Sequence, residues 1–361
     1  MFLSRAYSQL PIPAQQLLDF LRQEAVRDLK RPIYAGPVAP PKTSVWCTCG
    51  SHESAVKFSD CLTTRVVFVW DPLRGISGST LMRVHQSASR VASVFSDLEI
   101  LVCPLQHPAL PRIRNSIVVL SKSALLDLDS LSSIDRRHNT LLADYVDGVH
   151  QEDIDEFVDG FLCASHTEDL WIKQHFSKPS FLVPHAIDSR FNFLRKHFQA
   201  SSGFSCGYFG HPENGLFVDE LKKLGLLTHV EDSITTEAQN AAPSWMIQAL
   251  NCSSHYIARP TRVVGEARFK PFTKGFLAAQ SDALAVASRL DLESTYWLGT
   301  DYPFLVNDET LKSAVDGVER LRDAWTSGDL AHSREVSHQN RQISCPVVNA
   351  KAYGLAFKFF S

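Results

Sequence analysis

The sequence predicts an α/β fold with two doubly wound domains that face a common cleft. The chain has 361 residues, more than one hydrophobic core usually serves, so two domains are expected. Short apolar runs rich in β-branched residues recur along it, and segments with helical spacing separate them. Because continuous apolar runs suit strands buried on both faces, this alternation indicates parallel sheets covered by helices.

The composition narrows the class of protein and its partners. Hydrophobic residues make up 44% of the chain and charged residues 21%, the balance of a folded globular protein. The net charge of -3 provides no basic field for a phosphate backbone, so no nucleic-acid partner is expected. No apolar run approaches the roughly 20 residues of a membrane-spanning helix, and the start lacks the apolar core of a signal peptide. These features predict a cytoplasmic protein and leave peripheral membrane contact open.

The eight cysteines are spread over the chain, most of them in apolar runs such as FLCAS and ILVCP. A reduced cysteine there behaves as a small hydrophobe, which fits a reducing compartment. Cys47, Cys49, His52 and Cys61 are close enough in sequence to be drawn as a zinc site, but they lack the paired CxxC knuckles of structural zinc. We therefore expect no bound metal.

The first domain is predicted over residues 45–195, preceded by a helical extension over residues 1–44. The extension has helical apolar spacing over residues 14–30, and the stretch RPIYAGPVAPPK ends it. The apolar runs of the domain lie at 45–49, 65–70, 99–104, 116–121, 141–147, 160–165 and 180–185. Helical patterns such as STLMRVHQSASRVASVF and HTEDLWIKQHF lie between several of them, as in a doubly wound domain.

The second domain is predicted over residues 203–335. It follows the polar, small-residue end of AIDSRFNFLRKHFQASSG, which is typical of an interdomain linker. Strand-like runs lie at 205–210, 226–232, 255–260, 283–288 and 304–308, and a long helical pattern lies at 308–327. Residues 336–361 include AKAYGLAFKFF, which predicts a final helix that packs back onto the body.

Several segments, in order, resemble the GT-B glycosyltransferases, especially the large family that uses nucleotide-sugar donors and includes many surface-polysaccharide enzymes. FLCASHTEDLWIKQHFSKPSFLVPHAIDSRF is similar to that family's strand, serine and helix, followed by a strand ending in a P-N-G-[IV]-D turn. CGYFGHPEN resembles the first strand of the family's second domain, and FKPFTKGFLAAQSDALAVAS resembles its donor-site loop, helix and strand. The resemblance covers about residues 65–325 and rests on the order of these motifs.

The resemblance implies a GT-B-like fold of two Rossmann-like domains and a metal-independent transferase. The implied partners are a nucleotide-sugar donor and a saccharide, lipid-linked or small-molecule acceptor. No cofactor is expected, because the nucleotide sugar is a substrate. The second domain would bind the donor and the first domain the acceptor.

One departure from the family pattern leaves other functions open. The family places a glutamate in the donor loop and a second one eight residues later, at the donor ribose, and these positions are Lys270 and Ala278 here. The missing carboxylate favours a catalytically silent member that binds a sugar or scaffolds other enzymes. A GT-B-shaped epimerase or phosphorylase would share the fold but need different cleft residues.

Cations near a helix start predict a site for the donor diphosphate. Arg268, Lys270 and Lys274 lie just before and within the first turn of the helix that begins near Pro271. Cations and helix N-termini stabilise the negative charge that develops on a leaving diphosphate. A solvated basic loop would have the same sequence pattern.

Further donor-side candidates lie in both domains. The loop RGISGS follows the strand RVVFVW, and the amides near Gly78 and Ser79 would point at an anion or a sugar hydroxyl. The loop lacks the full GxGxxG fingerprint, and a capped helix start explains it equally well. In the second domain the resemblance adds Gly210 and Asp301.

An acceptor hydroxyl needs a base, which an inverting mechanism would place in the first domain. Asp71, His85, Asp144 and His185 are candidates because they lie at strand ends or on the helix that follows. Asp144, with Asp147 nearby, ranks first because function gathers at the carboxyl ends of parallel strands. Each could instead be a cap or an ion-pair partner, and the sequence does not distinguish inversion from retention.

Overall fold

A computed structural model describes residues 65–75, 77–195, 203–231, 243–261 and 268–361. The predicted helix at 14–30, the predicted strand at 45–49 and the cysteine and histidine group at 47–61 lie outside the described residues. The described part forms two parallel sheets flanked by helices. The predicted α/β fold with two Rossmann-like halves is therefore confirmed.

The first sheet has six strands, and every neighbouring pair is parallel. The strands are β1 (Arg65–Trp70), β2 (Glu99–Pro104), β3 (Ser116–Ser121), β4 (Asn139–Asp144), β5 (Gly160–Cys163) and β6 (Ser180–Leu182). Their order across the sheet is β2-β1-β3-β4-β5-β6. Val66 of β1 lies opposite Ile100 of β2 and Ile117 of β3.

Helix α1 follows β1 and is continuous but irregular. It consists of an α-helical turn (Gly78–Thr80), a π-helical segment (Leu81–Gln86) and a regular α-helix (Ser87–Val94). Segments of π-helix are rare and are frequent at functional sites. The next helices are α2 (Leu128–Leu131), α3 (Glu152–Phe157), α4 (His166–His175) and α5 (Ser189–Arg195).

The second sheet has five strands, again parallel throughout. They are β7 (Cys206–Phe209), β8 (His229–Glu231), β9 (Ser254–Tyr256), β10 (Leu284–Ser288) and β11 (Leu305–Val306), in the order β11-β10-β9-β7-β8. The helices of this half are α6 (Val218–Lys223), α7 (Pro243–Asn251), α8 (Thr273–Gln280), α9 (Leu292–Leu298), α10 (Leu311–Ser327) and α11 (Ala331–Ile343). Read from its first strand, this sheet follows the same order as the first sheet.

Alternate residues of each strand point to opposite faces of the first sheet. Both faces are buried. Val67 and Val69 belong to the cluster on the face that Ile154 and Ile172 cover from α3 and α4. Val66, Phe68 and Trp70 belong to the cluster on the other face, with residues of α1 and of the last helix, α12 (Pro346–Phe360). The continuous apolar runs of the sequence are thus explained.

The chain crosses between the two halves twice. After β6, Phe191 and Leu194 of α5 pack in the core of the second sheet. After α11, helix α12 returns to the first sheet, where the Tyr353 ring contacts Phe68 edge-on at 5.7 Å between centroids. Asn349 Nδ2 donates to the carbonyl oxygen of Pro184 at 2.8 Å. This hydrogen bond joins α12 to the segment that follows β6.

The last two helices belong to different halves. Gln280 Nε2 of α8 donates to the Arg341 carbonyl oxygen and to Ser344 Oγ, both at 2.9 Å, so α11 belongs to the second half. The predicted boundary between residues 335 and 336 falls inside α11. Within the described residues, no helix is long and apolar enough to cross a bilayer, and no three potential metal-binding side chains are grouped.

Candidate active site

Each sheet reverses its strand order at one point. In the first sheet the chain steps from β1 outward to β2 and returns to β3 on the other side of β1. The second sheet makes the same step from β7 to β8 and back to β9. Open α/β sheets bind ligands at the carboxyl ends of their strands beside such a reversal. We call the loops after β1 and β3 the first switch point, and those after β7 and β9 the second switch point.

At the second switch point, Lys274 lies against the backbone at the end of β7. Its Nζ donates to Tyr208 Oη at 2.5 Å and lies 3.8 Å from the centroid of the same ring. Gly210 has φ of +150°, and a Cβ atom there would come within 2.6 Å of Lys274 Cε and Nζ, so glycine lets the lysine lie against the backbone. Burial, helped by the positive charges of Lys270 and Arg259, lowers the pKa of Lys274 well below its usual value.

Helix α8, which carries Lys274, begins without a capping side chain. Phe272 occupies the cap position and makes no side-chain cap hydrogen bond. The first amides of a helix have no partner within it, and this end carries a partial positive charge. Together with the Lys274 and Lys270 ammonium groups, the helix end forms a cationic site of the kind that binds phosphate.

Arg259, which follows β9, holds the loop before α8 in place. Its Nη2 donates to the carbonyl oxygen of Lys270 at 2.6 Å, and its Nη1 donates to that of Pro271 at 3.3 Å. The guanidinium also pairs with Asp291, with Nε 3.0 Å from Oδ2. Since Asp291 is the cap residue of α9, Arg259 ties the loop to a second helix start at the same edge of the sheet.

A row of charges connects the two halves across the cleft. Lys122, after β3, donates from Nζ to Asp147 Oδ1 at 2.8 Å. On the other side, Lys270 Nζ lies 3.8 Å from Asp147 Oδ2. Burial alone would raise the pKa of Asp147, but the two ammonium groups outweigh it and hold the pKa below its usual value. Lys270, in the loop before α8, therefore points toward Asp147 of the first half.

Glu293 fastens the second half to the start of α4. Its Oε1 accepts from the His166 amide and its Oε2 from the Thr167 amide, both at 3.0 Å. Trp297 Nε1 donates to Oε1 at 2.7 Å, and the rings of His166 and Tyr296 stack with centroids 3.6 Å apart. Burial raises the pKa of Glu293 despite these donors. The contact joins a carboxylate to a positive helix end, which is a favourable arrangement.

The residues just before Lys270 pack against the first half. The Phe269 ring is buried, with its centroid 5.8 Å from that of His150 and 5.2 Å from that of Trp171. Arg268 is exposed and lies over the Trp171 ring at 5.4 Å. Of the three predicted donor cations, Lys270 and Lys274 lie beside the α8 start, whereas Arg268 is at the interface.

The first switch point contains a buried ion pair. Arg83 Nε donates to Asp144 Oδ2 at 2.8 Å, and Arg83 Nη1 donates to the Val183 carbonyl oxygen at 2.6 Å. The Asp144 side chain is only 1% exposed, and burial raises its pKa although Arg83 opposes the shift. In this structure Asp144 is the buried ion-pair partner of Arg83, and its role as an acceptor base stays a prediction.

The other predicted bases are also enclosed or engaged. Asp71 is buried and accepts from the Leu73 amide at 2.9 Å and from Gln106 Nε2 at 3.0 Å, so it organises the loop after β1. Burial lowers the pKa of His85 to about 4, which keeps its ring neutral at pH 7. Burial and the nearby Arg83 charge lower the pKa of His185 to about 4 as well.

The structure separates the remaining predicted donor residues. Gly78 and Ser79 begin α1 at the first switch point, so they belong to the opposite half from Gly210 and Lys274. Asp301 lies between α9 and β11 with its side chain 79% exposed and its Oδ2 3.6 Å from His332 Nε2. That loop enters the amino end of β11, at the edge of the sheet opposite the second switch point.

Sequence reasoning missed Arg259, Asp291 and Glu293. All three follow β9 or β10, the runs HYIARP and ALAVAS, at the edge of the sheet where function gathers. The same criterion that selected Asp144 would have selected them. Ala278, which the resemblance aligns with the family's ribose-binding glutamate, is 1% exposed within α8, in the core of this half.

Comparison with known proteins supports the fold. No protein-family model matches the sequence, and no curated protein matches it. The apo form of the lipopolysaccharide outer core galactosyltransferase WaaB is similar in structure, with a TM-score of 0.53 and 11% identity over 82% of this chain and 100% of WaaB. The chain has a GT-B-like fold. At this identity the likeness concerns the fold alone.

Two longer glycosyltransferases resemble the chain more distantly. The pneumococcal O-GlcNAc transferase GtfA, in complex with UDP and GlcNAc, has a TM-score of 0.44 and 11% identity over 68% of this chain. TarM has a TM-score of 0.45 and 9% identity, also over 68% of this chain. The chain spans 56% of GtfA and 55% of TarM, a little over half the length of each.

Proposed function

We propose that this GT-B-like protein is a glycosyltransferase that moves a sugar from a nucleotide-sugar donor to an acceptor bound by the first half. The second half would hold the donor, with its diphosphate at the second switch point. The observation that carries the proposal is the cationic start of α8. There an uncapped helix end, the Lys274 ammonium and the Lys270 ammonium converge beside Gly210.

The surroundings of Lys274 favour a bound anion. Two positive neighbours and burial disfavour the charged ammonium, and a bound diphosphate would reverse that effect by supplying negative charge. In transfer, the bond from the anomeric carbon to the phosphate oxygen breaks, and its electron pair leaves with the nucleoside diphosphate. The acceptor oxygen bonds to the anomeric carbon, and its proton passes to the departing phosphate oxygen.

The leaving diphosphate gains negative charge as that bond breaks, and fixed cations stabilise this change without reorganising. Lys274 and Lys270 would act on the phosphates directly, while Arg259 would keep the Lys270 carbonyl and the loop in position. We infer on this basis that transfer is metal-independent. WaaB is named a galactosyltransferase, which supports a hexose as the transferred sugar.

A silent sugar-binding or scaffold protein is the second candidate. It is favoured by Ala278, a buried alanine where the resembling family has its ribose-binding glutamate. The two candidates differ in turnover rather than in fold, because both can bind a nucleotide sugar.

The first experiment is a thermal-shift screen against UDP, GDP, dTDP, CMP and ADP, with and without magnesium. A ligand at a hundredfold excess over its Kd stabilises the native state by about 2.7 kcal/mol. We expect a shift with at least one nucleoside diphosphate, unchanged by magnesium, and hydrolysis or transfer of the matching nucleotide sugar. Binding without turnover would support the silent protein, and no shift with any nucleotide would contradict the proposed donor site.

A paired substitution tests the site itself. Lys274→Met keeps the length of the side chain and removes its charge, so nucleoside diphosphate affinity should fall about tenfold or more. Lys222→Met is the matched control, because Lys222 is an exposed lysine on α6 of the same half. Equal affinities in the two variants would remove Lys274 from the site.

A further inference from the structure

Tyr208 lies beside the proposed donor site but is closed to solvent. It belongs to β7, and 0% of its surface is exposed. Lys274, on the first turn of α8, is only half-buried. A ligand at the second switch point can therefore reach the lysine but not the tyrosine. Any influence of Tyr208 on such a ligand passes through the groups that the tyrosine contacts.

The hydrogen bonds of the Tyr208 hydroxyl have a fixed direction. A tyrosine hydroxyl has one proton to donate and lone pairs that accept. Its proton goes to the carbonyl oxygen of His211, 2.7 Å away, because a carbonyl can only accept. The hydroxyl therefore accepts from Lys274 Nζ, which lies 2.5 Å from it. A charged ammonium has three N–H donors, so this bond occupies one of the three.

The aromatic ring of Tyr208 holds the same lysine. Lys274 Nζ lies 3.8 Å from the ring centroid, close enough for the negative face of the ring to attract an ammonium. The ring is itself fixed, because a Cβ atom at Gly215 would come within 2.6 Å of Tyr208 Cε2. The backbone of Gly210 lies equally close to Lys274 Cε and Nζ. The end of the lysine side chain is thus packed between two parts of the loop and strand around β7.

The charged groups around Lys274 oppose its ammonium form. Lys270, in the loop before α8, and Arg259, after β9, both lower the pKa of Lys274, as burial does. The carboxylates that meet these two cations are already engaged, since Asp291 pairs with Arg259 and Asp147 with Lys270. The tyrosine hydroxyl acts in the other direction, because a hydrogen bond accepted from the charged form favours that form.

We propose that Tyr208 is a positioning residue of the donor site, which holds the Lys274 ammonium in place for the departing phosphate. The inference rests on the proposed function and deepens it. Fixed cations stabilise a developing charge best when they are oriented before the bond breaks. Tyr208 provides this orientation through its hydroxyl and its ring, and the His211 carbonyl fixes the hydroxyl.

The first test removes the hydroxyl and keeps the ring. Tyr208→Phe should weaken nucleoside diphosphate binding about three- to tenfold, because Lys274 loses its hydrogen-bond acceptor. Titration calorimetry with UDP measures the change, or with GDP, dTDP or ADP where that nucleotide gives the larger thermal shift.

Tyr302→Phe is the matched control. Tyr302 is a buried tyrosine of the same half, and its hydroxyl donates to the Ala285 carbonyl oxygen at 3.0 Å and accepts from the Ala285 amide at 3.2 Å. This variant should lose stability, as Tyr208→Phe does, and keep the wild-type affinity. An equal loss of affinity in both variants would show that the Tyr208 hydroxyl has a merely structural role, and would overturn the proposal.

A double-mutant cycle shows whether Tyr208 acts through Lys274. Residues in contact give non-additive effects, whereas independent residues give additive ones. In the Lys274→Met background, Tyr208→Phe should therefore change the nucleoside diphosphate affinity by less than about twofold. A full additional loss in the double variant would mean that Tyr208 acts apart from the lysine, against the proposal.

A titration without nucleotide provides a second readout that a structural role would not move. NMR of protein labelled with ¹³C at lysine Cε follows the titration of Lys274, whose signal is the one missing from Lys274→Met. Tyr208→Phe should lower the pKa of Lys274 further, because the ammonium loses an acceptor, and Tyr302→Phe should leave it unchanged. The same pKa in Tyr208→Phe and the wild type would contradict the proposal.

The two proposals fail in different ways. If a nucleotide binds and Lys274→Met weakens it while Tyr208→Phe does not, the donor site stands and only the role of Tyr208 is wrong. If no nucleoside diphosphate binds to the wild type, the proposed function fails and the positioning role fails with it.

Discussion

The two switch points share one strand order and differ in how their helices begin. At the first, Ser77 caps α1 and each carboxylate is paired with a cation. At the second, α8 has no side-chain cap, and Lys274 is crowded by Lys270 and Arg259. The same strand order therefore carries two different arrangements of charge. The proposed donor diphosphate therefore fits the second switch point better than the first.

The largest effect is expected from a substitution that breaks a buried ion pair at the first switch point. Asp144→Ala leaves Arg83 buried without its counter-charge, which should lower the free energy of unfolding by about 3–5 kcal/mol. Urea denaturation followed by circular dichroism measures the change. Asp316→Ala is the control, because it breaks the exposed pair with Lys312 and should change stability by under about 1 kcal/mol. Equal midpoints for both variants would contradict the structural role given to Asp144.

The next prediction concerns the close contact between Gly210 and Lys274 at the second switch point. Gly210→Ala places a methyl group 2.6 Å from Lys274 Cε and Nζ, which must move. We expect a loss of about 1–3 kcal/mol of stability from overpacking, and a tenfold or greater loss of nucleoside diphosphate affinity. Gly225→Ala is the matched control, since its φ is +70° but nothing lies within 4 Å of the added carbon. That variant should lose stability through backbone strain alone and keep its affinity.

A smaller effect is expected at the contact between the two halves. Glu293→Ala removes the acceptor of the His166 and Thr167 amides, at a cost of about 1–3 kcal/mol. Small-angle scattering should show a more open molecule, because this carboxylate joins α9 to α4. Glu309→Ala serves as control: its Oε1 accepts from the Thr261 amide within the second half, so its loss should leave the scattering curve unchanged. A closed molecule in both variants would show that other contacts determine the cleft.

The smallest expected effect concerns the protonation of Lys274, which should change with pH and with nucleoside diphosphate binding. A lysine whose folded pKa lies below its unfolded value destabilises the fold at neutral pH, and this cost fades as the pH rises toward the unfolded pKa. Lys274→Met should therefore be more stable than the wild type at pH 7, with the difference shrinking by pH 10. Because a bound diphosphate favours the charged ammonium, nucleoside diphosphate binding in alkaline buffer should take up more protons in the wild type than in the variant. Calorimetry in two buffers of different ionisation enthalpy measures this, and no difference between them would contradict the depressed pKa.

Strand positions could be predicted because burial on both faces appears directly in the sequence. The run RVVFVW is β1, and both of its faces are covered in the fold. The cationic start of α8 was also predictable, because Lys270 and Lys274 are close in sequence to the helix they serve. Such local patterns can be identified in the sequence without knowing which distant residues they contact.

Functional roles that depend on distant partners could not be predicted. Asp144 was placed at the correct edge of the sheet, but its pairing with Arg83, 61 residues earlier, is a property of the fold. Arg259 acts through the Lys270 carbonyl and Asp291, which only the folded loop brings together. Asp301 came from the family resemblance alone, and only the fold shows that its loop joins α9 to the amino end of β11.

The return of α12 to the first sheet has a consequence for biosynthesis. Tyr353 and Phe357 lie in the same hydrophobic cluster as Val66 and Phe68 of β1, nearly three hundred residues earlier in the chain. The ribosome delivers the N-terminal part of a chain first, and domains usually fold in that order. Here every strand and helix of the second half is translated before α12, which β1 needs to complete its packing. The half that is translated first is therefore the half that finishes folding last.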